Sequence, residues 1–103
     1  MDSNRVDSLK KILEKDPNDS FSKYALGLEY LSASMLDESR GLFENIIEIE
    51  PDYLAVYYQL GKVYELMGET EKAGNTLRLG ITVADAQNDF HTRSELEQAI
   101  DEL

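Results

Sequence analysis

Leu26-Gly27-Leu28-Glu29-Tyr30 and Leu60-Gly61-Lys62-Val63-Tyr64 both read Leu-Gly-x-x-Tyr, and they stand 34 residues apart. The same offset relates Tyr24 to Tyr58, Phe43 to Leu77 and Pro17 to Pro51. A fixed period of this size marks stacked supersecondary units. Leu and Tyr four apart share one helix face, and Gly between them lets a neighbouring helix approach closely. Gly costs about 0.5–1 kcal/mol inside a helix, so its recurrence implies a packing reason. Ser39 and Ala73, also 34 apart, are the small residues expected to face these glycines.

Outward from the repeat, the chain reads as six helices. Val6, Leu9, Ile12 and Leu13 give one stripe over Ser3 to Lys15, with Ser3 or Asn4 as cap and Asp16-Pro17 as stop. Leu9, Ile12, Leu13 and Pro17 match Phe43, Ile46, Ile47 and Pro51 at the same offset, so residues 3–16 are the second half of a repeat. The second helix runs from about Ser20 to Ala33 and is apolar on more than one face. Phe21, Tyr24, Leu28 and Leu31 share one face; Ala25, Leu26 and Tyr30 lie on others. Such a helix is buried or lines a binding surface.

After Ser34-Met35-Leu36, Asp37 is the expected cap of a third helix with a stripe of Leu42, Phe43, Ile46, Ile47 and Ile49. Asp52 is the expected cap of a fourth, reaching Met67 and ended by a left-handed Gly68. A fifth begins at Thr70, turns Ala73, Leu77, Ile81 and Ala84 inward, and extends to about Gln87. The last, within residues 89–103, has an apolar face of Leu96, Ala99, Ile100 and Leu103, capped by Asp89 or by a Thr92-x-x-Glu95 box. Its opposite face, with Glu95, Glu97, Asp101 and Glu102, suits the closing helix of a stack.

These residues resemble the tetratricopeptide repeat. One repeat carries Leu26, Gly27, Tyr30, Ser39, Phe43, Ile46 and Pro51; the next carries Tyr57, Leu60, Gly61, Tyr64, Ala73 and Leu77. The chain departs from the pattern at Lys23, where an aromatic is preferred, at Gly80 for Ala and at Asp85 for Pro. The resemblance implies an all-α fold of antiparallel helix-turn-helix repeats. The expected layout is one domain over residues 1–103: a half-repeat at 3–16, repeats at 20–51 and 52–87, and a capping helix at 89–103. It also implies an adaptor or scaffold that binds a protein or peptide segment, with self-association into a homodimer or a larger assembly as the alternative. In this family the first helix of each repeat lines the concave face. That selects Phe21, Tyr24, Leu28 and Leu31, then Tyr58, Lys62 and Glu65. Members that clamp a C-terminal carboxylate use Lys and Asn where this chain has Tyr24 and Leu28, and Asn where it has Gln59, so no such clamp is expected.

Composition narrows the function classes. The net charge is −11, with −5 over residues 17–50 and −5 over 85–103. Nucleic acid and anionic membrane are poor partners for that surface. There is no cysteine, hence no disulfide or thiolate chemistry. No apolar run is long enough for a membrane span or a signal peptide, so a cytoplasmic location is expected. No catalytic residue, metal ligand or cofactor is expected. His91 stands without a second histidine, and Asp85-x-x-Asn88-Asp89 lacks the alternating ligands and Gly of a calcium loop. Gly61-Lys62 lies in a helix without the upstream Gly of a phosphate loop, and Asn18-x-Ser20 reads as a turn and cap.

Overall fold

The computed structural model describes residues 1–103 and contains six α-helices and no strand. They are α1 (Ser3–Lys15), α2 (Ser20–Ser32), α3 (Leu36–Ile49), α4 (Ala55–Leu66), α5 (Thr70–Ala86) and α6 (Phe90–Asp101). The all-α expectation and the helix count hold. The chain divides into two compact units, Met1–Tyr53 and Leu54–Leu103.

In the first unit, α2 packs against both α1 and α3. Val6 and Leu9 of α1 meet Ala25 and Leu26 of α2, with Leu13, Tyr30 and Leu42 at the edge of the cluster. Gly27 leaves room for α3: a Cβ there would lie 2.9 Å from Phe43 Cδ1. The Ser39 hydroxyl donates to the Gly27 carbonyl at 2.9 Å. The small partner thus meets the backbone of Gly27, and the large side chain of Phe43 fills the space its hydrogen leaves. Arg5 and Glu29 pair at 3.0 Å across α1 and α2.

The second unit repeats this logic. A Cβ on Gly61 of α4 would lie 2.7 Å from Leu77 Cδ2 of α5. Leu77, Ala84 and Leu96 form a buried cluster with Leu54, Ile81, Ala99 and Ile100 around it, so α6 covers α5 through its apolar face. Gly80 is a second point of close approach. A Cβ there would meet Tyr57 Cβ at 2.7 Å and Leu96 Cδ1 at 3.1 Å. The departure from Ala at this position therefore has a steric cause.

Three helices end in the same way. Met35 N–H donates to Tyr30 O at 2.9 Å and Ser34 N–H to Leu31 O at 3.0 Å. Glu69 to Tyr64 with Gly68 to Glu65, and Asp89 to Ala84 with Asn88 to Asp85, repeat the pattern. This pair of bonds is the Schellman motif, which needs a left-handed residue after the helix. Gly68 supplies it at φ 79°, as expected, while Ser34 and Asn88 adopt φ 60° and 57° despite their side chains.

Several local expectations are corrected. The cap of α1 is Asp2, whose side chain accepts from Arg5 N–H, and neither Ser3 nor Asn4. Met35 holds the cap position of α3, placing Asp37 inside the first turn, where its charge favours the positive helix end. α4 begins at Ala55 with Leu54 at its cap position, so Asp52 stands in the preceding turn. α6 is capped by Asp89, which accepts from Thr92 N–H at 3.0 Å and from the Thr92 hydroxyl at 2.8 Å, in place of a Thr92–Glu95 box. Ile12 and Ile49, expected on buried stripes, are exposed, as is Leu103, which falls beyond the end of α6.

Candidate functional site: the outward faces of α2 and α4

α2 buries Ala25, Leu26 and Gly27 against its neighbours and keeps a second apolar face. On that face Phe21 is 69% exposed, and Tyr24, Leu28 and Leu31 are half-buried. The spacing of these four puts them on one side of the helix. The buried cluster of α1 and α2 is built from other residues, Val6, Leu9, Ala25 and Leu26.

The aromatic end of this face has a member that sequence reasoning assigned elsewhere. Tyr53 was expected within the fourth helix. It lies instead before α4, and its N–H donates to Glu50 O at 3.0 Å in the turn that leaves α3. That turn sets its ring 5.5 Å from the Tyr24 ring, tilted by 48°. Tyr24 also meets Phe43, at 5.9 Å and 42°. Tyr24 is therefore partly anchored in the core, whereas Phe21 is not. The signal available in the sequence was the Glu50-Pro51 break, after which three residues precede the next helix.

Burial pushes the Tyr53 phenol above its ordinary value, and Tyr24, then Glu50 and Asp19, add to the effect. The charged groups acting on this hydroxyl are thus both acids. Asp19 is held by Ser22, whose hydroxyl donates to its Oδ2 at 2.7 Å. Lys23, one residue from Tyr24, is only 8% exposed and turns its amine to Asn45 Oδ1 of α3. Its charge is spent on the α2–α3 interface.

In the second unit, Tyr58, Lys62 and Glu65 share one side of α4, and all three are exposed, Tyr58 at 39%. The structure thus groups the seven expected residues into two sets, one on each helix, each set on a single helix face. No group of three or more His, Cys, Asp or Glu side chains is placed to hold a metal ion. No helix is long and apolar enough to cross a membrane.

Helical hairpins that recur at a fixed period, with glycine where α2 meets α3 and where α4 meets α5, define a helical-repeat protein. The tetratricopeptide repeat model matches residues 42–75. A tetratricopeptide repeat domain protein of Salinibacter ruber is 38% identical, over 82% of this chain and 93% of its own, with a TM-score of 0.77. The chain belongs to the tetratricopeptide repeat family. Anaphase-promoting complex subunit 3 of Dictyostelium discoideum is 27% identical over 93 residues, 90% of this chain but 10% of that subunit. This chain therefore spans a tenth of the length of that relative. The TPR2B domain of yeast Sti1, in its complex with pHsp70, has the same fold: TM-score 0.86 at 17% identity, over 92% of this chain and 76% of that one. The family and fold are those of modules that mediate protein–protein interaction and are typically non-catalytic.

Proposed function

We propose that the protein is an adaptor or scaffold module, without catalytic activity of its own, that holds a protein or peptide segment on the faces that line the concave side in this family. The residues of that surface are Phe21, Tyr24, Leu28 and Leu31 on α2 and Tyr58, Lys62 and Glu65 on α4. We take residues 1–103 to act as one domain in the cytoplasm, with repeats at 20–51 and 52–87 between the half-repeat at 3–16 and the capping helix at 89–103. The observation that carries the reading is the 69% exposure of Phe21 beside three half-buried apolar side chains. A large ring left in water on an otherwise apolar face is the usual anchor of an interface. The complex of the yeast neighbour with pHsp70 supports the class of partner and no more.

Site-specific photo-crosslinking tests the proposal. Benzoylphenylalanine in place of Phe21 or Tyr58 should trap a discrete partner in native extract. The same group in place of Leu79, which is 56% exposed on α5, should not. Equal trapping at all three positions would remove the assignment. Trapping only of a second copy of the chain would transfer these faces to self-association.

A further inference from the structure

We infer that the Tyr24–Tyr53 pair is the seat of a cationic side chain, and that the segment docked on α2 is a basic peptide presenting an arginine or lysine there. The inference rests on the reading of the α2 face as a docking surface and states what that surface selects. The two rings lie 5.5 Å apart and are tilted by 48°, so neither is stacked flat beneath the other. Both residues are half-buried. The face of a tyrosine ring attracts a cation through its quadrupole, and partial desolvation strengthens the attraction. The fold already uses this contact once: Lys72 Nζ lies 5.9 Å from the centre of the Tyr64 ring. No cation of the chain lies over Tyr53.

The charges acting on Tyr53 have one sign. Asp19 and Glu50 act on the Tyr53 hydroxyl, and neither carboxylate is paired with a basic side chain. The nearest lysine in sequence, Lys23, is withdrawn into the α2–α3 interface by Asn45. The first unit, Met1–Tyr53, carries 12 acidic and 6 basic residues. Beyond the aromatic end, Leu28 and Leu31 continue the face with apolar surface. A ligand that satisfies both ends has a cationic head for the tyrosines and apolar residues for the remainder. An acidic segment would meet Asp19 and Glu50 with like charge.

Three capped pentapeptides of alternating leucine and a second residue separate the terms: arginine, its neutral isostere citrulline, or glutamate. Each is titrated into 15N-labelled protein and followed by amide shifts. The arginine peptide should shift residues 19–31 and 50–53, the citrulline peptide should bind about tenfold more weakly, and the glutamate peptide weaker still. Glu50→Gln and Asp19→Asn should each narrow the gap between arginine and citrulline, and raised salt should do the same. Tyr53→Leu should abolish it; if that variant loses its dispersed spectrum, the two carboxylate variants decide. Equal binding of all three peptides on the α2 face would overturn the cation seat and leave the docking face standing. Arginine-peptide shifts scattered over α3 and α6 and unaffected by Glu50→Gln would overturn it as non-specific charge attraction. Absence of shifts on α2 with every peptide would overturn both readings.

Discussion

Gly61 stands to Leu77 as Gly27 stands to Phe43. In both pairs the second residue is 16 positions on, and its side chain occupies the space of the missing Cβ. The two contacts differ in what can yield. Phe43 is a rigid ring with no exposed surface, and its Cδ1 would lie 2.9 Å from the new Cβ. Leu77 can change rotamer. Alanine at Gly27 should therefore cost more than alanine at Gly61, within the usual overpacking range of about 1–3 kcal/mol. Leucine at either site should cost at least as much. Thermal melts of the variants check the order, and Phe43→Leu should recover part of the loss in Gly27→Ala alone. Equal melting of wild type and both leucine variants would contradict the close approach.

Ser34 occupies, 34 residues earlier, the place of Gly68, and it does so at φ 60°. A left-handed conformation is costly for a residue with a Cβ, and glycine removes that strain at some expense in unfolded-state entropy. Ser34 is exposed and its backbone bonds are already those of the motif. Ser34→Gly should raise stability by about 0.5–1 kcal/mol, read from urea denaturation. Gly68→Ser should lower it by a similar amount. A destabilised Ser34→Gly would show that the serine side chain contributes more than its strain costs.

The sequence made the repeat legible because Leu-Gly-x-x-Tyr records a steric requirement that only one residue type meets. The helices α1, α2 and α5 were placed within a residue or two for the same kind of reason: Pro17 and the apolar stripes leave few alternatives. The capping residues were harder. Asp2 beats Ser3 and Asn4 because one more residue of α1 becomes helical, a shift that periodicity does not resolve. Ile12 and Ile49 carry the right spacing but lie in the last turns of α1 and α3, where they stay 45% and 39% exposed. Lys23 and Gly80 were seen only as departures from the family pattern. Their causes, Asn45 across the interface and the paired contacts of Tyr57 and Leu96, involve residues 16 or more positions away. Of the candidate surface, the α2 face was visible as surplus apolar residues. Tyr53 was missed because the turn after Pro51 decides where its ring goes.

Asp89 gives the fold a defined acid response. Its carboxylate accepts the Thr92 N–H and the Thr92 hydroxyl, and these bonds, with a smaller contribution from His91, hold its pKa below the ordinary 3.8. A depressed carboxyl stabilises the folded state fully above its unfolded value and loses that stabilisation as pH falls through the folded one. Asp89→Asn keeps an acceptor at the cap but cannot titrate. The wild type should therefore melt above the variant at neutral pH, by a margin that stays flat down to about 4 and shrinks below it. A margin that does not change with pH would mean that the cap acts through geometry and not through charge.

Lys23 and Asn45 form an asymmetric pair, and the asymmetry can be measured. Lys23 is 8% exposed, and its ammonium has one neutral amide oxygen as its side-chain partner. Asn45 is only half-buried and can turn to solvent if its partner is lost. A buried charge with incomplete pairing is costly, while an apolar residue of similar shape carries no such penalty. Lys23→Met, which keeps an unbranched stem, should leave stability unchanged or raise it. Asn45→Leu should lower it by about 1–3 kcal/mol, because the ammonium then stays buried with no acceptor. The double variant should recover to the level of Lys23→Met, since the group responsible for the loss is gone. Urea denaturation of the four proteins closes the cycle. If Lys23→Met is the more damaging single change, the lysine is held there for a net favourable interaction, and the pair is a true stabilising contact between α2 and α3.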